Sequence, residues 1–166
     1  MHNRHLSTKE TWLALLVGVL TGAVLFVIAI LQVRFGISPF PKLPALAFAS
    51  TLLGAPQPPL VGLLFHLVYV TFWSYIFVAF FRSRSFLNAL WLALALAILV
   101  FIIFFPYIGW GFFGLAIGKK LIVGALVSHL LFAIVLWLLV RLFFGRDNVS
   151  TPTIHADETP APQVVS

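Results

Sequence analysis

His66 lies in LVGLLFHLVYVTFW and His129 in IVGALVSHLLFAIVLW, two phrases otherwise suited to hydrocarbon. A polar ring placed there is costly unless it is hydrogen-bonded, so each imidazole needs a partner. Ionisable residues inside a membrane are functional candidates by default. Four chemistries suit the pair. Each ring can bond a hydroxyl or carbonyl of a neighbouring helix and so fasten a scaffold. The two together can ligate a b-type haem axially. With Tyr69 they can hold a quinone. An imidazole can also carry protons near neutral pH, as in a small transporter. No nucleophile elbow, phosphate loop or carboxylate pair is present, so the sequence points to a non-enzymatic protein. The chain has no cysteine, which excludes thiolate metal sites and disulfides.

The elements that carry these rings follow from composition. Of 166 residues, 62% are hydrophobic and 8% charged, against about a quarter charged in a soluble domain. Such a chain cannot cover itself with polar surface, so its solvent is partly hydrocarbon. A bilayer core of about 30 Å needs roughly 20 apolar residues in a helix. Four runs qualify, at 12–33, 60–81, 86–105 and 121–144. None contains Asp, Glu or Lys, and the single arginine is Arg141. The sequence AFAS, Ala47 to Ser50, resembles a signal-peptide cleavage site. The first apolar run is nevertheless too long for a leader, so a retained helix is expected.

The expected fold is therefore all-α and integral to a membrane, a four-transmembrane-helix bundle over 12–144. Residues 1–11 form a cytoplasmic start and 145–166 a polar, Pro-containing disordered cytoplasmic tail. Arg4, Lys9, Arg82, Arg84, Arg141 and Arg146 lie on one side, and Arg34, Lys42, Lys119 and Lys120 on the other. This balance places both termini in the cytoplasm. The basic residues form no stripe, so nucleic acid is not an expected partner. His2, His5 and His155 show no metal-ligand spacing. The short RSRS link makes the second and third spans antiparallel neighbours. The other links, 34–59 and 106–120, are apolar and rich in Pro, Gly and aromatics. Each suits an aromatic belt at the headgroups or a segment folded back over a cavity.

The halves of the chain resemble each other, which suggests a parallel two-fold internal repeat of a helix pair. Each half runs from a span through a Pro-opened link to a histidine-bearing span that ends near Trp. Ala14, Gly18 and Gly22 recur every fourth residue in the first span, as Ala89, Ala93 and Ala97 do in the third. Such ridges let membrane helices approach closely, within one chain or across a homodimer. In this frame both histidines sit roughly 10 Å below the outer boundary, by helical rise. Gly62, Tyr69 and Trp73 share the His66 stripe, while Ala125 and Ser128 adjoin His129. The rings should then look toward protein rather than lipid. The leading functional expectation is a scaffold or accessory subunit, working with the lipid bilayer and other membrane subunits. A haem- or quinone-binding redox protein and a small proton-conducting transporter are the alternatives.

The phrases LGAPQPPLVGLLFH and FFGLAIGKKLIVGALVSH resemble small duplicated four-helix bacterial inner-membrane proteins, the YagU-like group. The likeness spans residues 12–144. It implies a bacterial cytoplasmic membrane and no established activity, and the Pro-rich first link departs from the pattern.

Overall fold

The computed structural model describes residues 6–81 and 83–145, and among these every regular element is helical. Arg4, Arg82 and Arg146, the histidines at 2, 5 and 155, and the expected tail beyond Gly145 lie outside the described residues.

Helix α1 (Thr8–Arg34) begins at a capping box. The amide of Glu10 donates to the Ser7 hydroxyl, and the Ser7 amide donates back to the Glu10 carboxylate at 2.9 Å. That polar cap starts the helix four residues before the apolar run expected from hydropathy. Pro39 and Pro41 then hold the chain away from helix until Pro44 opens α2 (Pro44–Leu52) at its first position. A second prolyl run leads into α3 (Pro59–Phe80), where Pro59 again occupies the first turn. Helix α4 (Phe86–Leu99) is capped by Ser85, whose hydroxyl accepts from the Asn88 amide.

The third span does not end at Leu99. It continues through a π-helical turn, Val100–Phe104, into a short α5 (Phe105–Tyr107). Pro106 explains the wider turn, because it has no N–H to offer the Ile102 carbonyl and its ring crowds that oxygen. A 3₁₀ turn at Phe112–Gly114 follows, in which Phe113 adopts φ 57°. Helix α6 (Lys120–Phe144) closes at Gly145, where φ is 74°. Four helical spans are thus long and apolar enough to cross a membrane: Thr8–Arg34, Pro59–Phe80, Phe86–Tyr107 and Lys120–Phe144.

Among the four spans, α1 lies along both α3 and α6, and α6 lies along α4. The short link at 82–85 does not bring α3 and α4 into close backbone contact along their length. The two share the core through side chains instead, Phe77 and Val78 on one and Ala89, Leu92 and Ala93 on the other.

Small residues set the close approaches. A Cβ on Gly18 would fall 2.7 Å from the Cα of Thr71, and one on Gly22 would fall 2.9 Å from Leu67 Cδ2. The α1 ridge is therefore spent on α3 within the chain, not left for a second copy. Ala89, Ala93 and Ala97 are all buried at their own ridge. Large apolar side chains elsewhere face outward, Phe80 at 73% and Trp91 at 62% exposure among them. In water such a surface would drive aggregation, whereas lipid tails cover it without penalty.

At the end where α1 begins and α6 stops, the largely buried Arg84 guanidinium bridges those two helices. It stands 4.3 Å from the centroid of the Phe144 ring and 4.0 Å from the Glu10 carboxylate. The opposite end is closed by α2, which packs on α3, and by aromatic contacts. Phe40 stacks on Trp110 at 6.2 Å, and both meet Phe105.

Candidate functional site

Toward the α2 end, the bundle encloses a cavity of about 470 Å³. That is within the range of small-molecule sites. All four spans contribute to its wall: Leu25, Phe26 and Ala29 from α1, Phe65 and Tyr69 from α3, Leu96 from α4, and Ala125 and Phe132 from α6. The π-helical turn adds Val100 and Phe104. Pro44, Ala45 and Phe48 of α2 roof it. The link at 34–59 is thus folded back over a cavity, not a belt alone.

Both histidines border this one cavity. They reach it differently. His66 Nε2 lies 3.1 Å from the carbonyl of Gly22, across the α1–α3 contact. Because a carbonyl only accepts, that nitrogen carries the proton. Close approach at Gly22 makes the bond reachable, since a side chain there would push α3 away. Phe26, one turn further along α1, packs against the His66 ring at 5.8 Å. His129 instead donates from Nδ1 to the carbonyl of Ala125, 2.7 Å away in its own helix. Ser128 does the same toward Gly124 at 2.8 Å. These bonds satisfy one nitrogen of each ring; the other has no hydrogen-bond partner among the described residues.

The remaining residues singled out in the sequence divide. Tyr69 borders the cavity, with its hydroxyl buried and no partner in hydrogen-bond reach among the described residues. Trp73 does not border it; its indole packs edge-on against Tyr69 and Phe72. Gly62 lies under the roof, where a Cβ would fall 2.8 Å from Leu46 Cβ, and so seats α2 on α3. Gly18 packs on Thr71 away from the cavity. Gln32 and Ser38 border the cavity and were missed. Gln32 had a signal, as the one amide side chain in the first apolar span.

Haem fits this arrangement poorly. Axial ligation through Nε2 needs that nitrogen unprotonated, and in His66 it is committed to Gly22. No Lys or Arg borders the cavity to receive propionates. Among the described residues, no group of three or more His, Asp or Glu side chains is placed to hold a metal ion. What the site can do is enclose a neutral, largely apolar molecule and hold it by a few hydrogen bonds. No family model, curated protein or solved structure matches this chain.

Proposed function

We propose that the chain is a multi-pass protein of a bacterial cytoplasmic membrane, with both termini in the cytoplasm, whose bundle binds an apolar small molecule. The observation that carries this reading is the cavity of about 470 Å³ bordered by His66 and His129 together. A close-packed core leaves few voids of this size, and this one opens to the side past Val68 and Phe72. Binding rather than catalysis is the role this lining supports, because its polar groups are neutral and few.

The parallel repeat belongs to the same proposal. In each half a span with a small-residue ridge is followed by a span with a histidine, and the two histidine helices meet at one cavity. The halves are not copies in detail, because α2 fills the first link and only a 3₁₀ turn fills the second. A YagU-like relationship rests on the residues quoted for it. An accessory subunit held together by its imidazoles is the second reading. It is favoured by one observation: each ring already has a backbone carbonyl partner.

The test is occupancy. Protein purified in mild detergent is extracted with organic solvent and the extract read by mass spectrometry. Cavity binding predicts an apolar compound at near-stoichiometric amount from the native chain and none from Ala29→Phe, which fills the space while leaving helix content unchanged. An empty extract from both, with a partner protein co-purifying, favours the accessory subunit.

A further inference from the structure

We infer that the cavity selects its ligand by hydroxyl donors, and that it fits a dihydroxy aromatic head group, of the hydroquinone class, better than the matching quinone. The inference rests on the reading of the cavity as a ligand site and deepens it.

Nε2 of His66 and Nδ1 of His129 donate to the carbonyls of Gly22 and Ala125 at 3.1 and 2.7 Å. No carboxylate borders the cavity to hold an imidazolium, so each ring is neutral and carries one proton. Nδ1 of His66 and Nε2 of His129 are then bare lone pairs. The Ser128 hydrogen is likewise committed, to Gly124 at 2.8 Å. Three of the polar groups on the wall can therefore only accept. A ligand with hydroxyls satisfies them, whereas a ligand with carbonyls sets lone pair against lone pair at all three and must turn to the Gln32 amide for a donor.

Shape points the same way. The two imidazoles stand on separate helices, α3 and α6, and border the same space, so two hydroxyls of one ligand have two acceptors to meet. Phe26, Phe48, Phe104 and Phe132 line the same space and offer aromatic surface to a ring. Val68 and Phe72 border the cavity yet are 70% and 53% exposed, so an apolar tail can pass outward to the lipid side.

The experiment is calorimetric titration of the full chain in detergent with decyl-hydroquinone, decyl-quinone, decylphenol and decylbenzene. Reductant is added only to the hydroquinone titration, to keep that ligand reduced, and the chain has no cysteine for it to disturb. The expected order is hydroquinone, then phenol, then quinone, with about tenfold between the first and last, the worth of one satisfied buried acceptor. His129→Leu should weaken the hydroquinone about tenfold and leave quinone binding level or tighter, because an opposed lone pair is removed; because the His129 bond is internal to α6, this variant keeps its fold. Quinone binding as tightly as hydroquinone overturns the donor rule, as does an equal loss for both in His129→Leu. Equal binding of all four compounds also overturns it while leaving the cavity reading intact. No binding by any of them overturns both.

Discussion

In α3 the imidazole of His66 crosses to the backbone of α1, while in α6 the imidazole of His129 turns back on its own helix. Two rings in like settings thus carry different mechanical duties. The first ties a helix pair together, at a point where Gly18 and Gly22 have already brought the backbones close. The second ties nothing to anything else, because α4 and α6 are joined by the Ala89, Ala93 and Ala97 ridge without help from a polar bond. A repeated residue is therefore no guarantee of a repeated role. The tethered ring is a packing element that also faces the cavity, and the untethered one is available to the cavity alone.

The largest way to break this comparison is at the ridges. Gly18→Leu should destabilise the bundle by about 3 kcal/mol, because its side chain meets the backbone of Thr71, which cannot move aside alone. Ala93→Leu in the other half should cost about 2 kcal/mol, as α6 meets it with side chains that can adjust. Unfolding in mixed micelles measures both, and equal losses would mean that α1 and α4 pack alike. The next effect separates the histidines. His66→Leu should cost about 1 kcal/mol more than His129→Leu, the worth of an interhelical hydrogen bond in a membrane. Equal costs would remove the distinction between tether and spare.

A smaller effect sharpens the account of the cavity. Tyr69→Phe removes a buried hydroxyl that has no partner among the described residues. Stability without ligand should stay level or rise by up to about 1 kcal/mol, since nothing is lost but an unmet polar group. A fall in thermal midpoint would show that the hydroxyl has a partner in the empty protein. The smallest expected change is at the cap. Ser7→Ala should cost about 1 kcal/mol or less, read as fraying of the first turn of α1 by hydrogen exchange.

Much of the architecture was legible because hydrocarbon imposes so simple a demand. Runs of twenty apolar residues have one outcome, and the spans at 60–81 and 121–144 fall within a residue of α3 and α6 at each boundary. The first span extends further because capping by Ser7 and Glu10 adds a polar turn that hydropathy does not count. The third runs on to Tyr107 because a π-helical turn accommodates Pro106, whereas a proline in an apolar run reads as a stop. His66 and His129 stood out as polar rings in an apolar setting. The cavity did not, because its walls are phenylalanines and leucines drawn from α1, α2, α3, α4, the π-helical turn and α6, and nothing in such residues tells core from pocket. The helices that RSRS was expected to make antiparallel neighbours share one core through side chains without a close backbone approach: a short link fixes where helices start, not how closely they then run.

The turn at Val100–Phe104 holds one residue more than a regular α-helix would need over the same rise. It therefore works as a reading-frame offset in the third span. Everything beyond it, Phe105 and the loop to Trp110 included, is rotated by about 100° relative to an uninterrupted helix. Deleting any single residue within the turn would reset that phase, swinging Phe105 out of its contacts with Phe40 and Trp110 while leaving the composition of the span almost untouched. Length variation at this spot should thus be tolerated far less than substitution, a constraint that hydropathy cannot register.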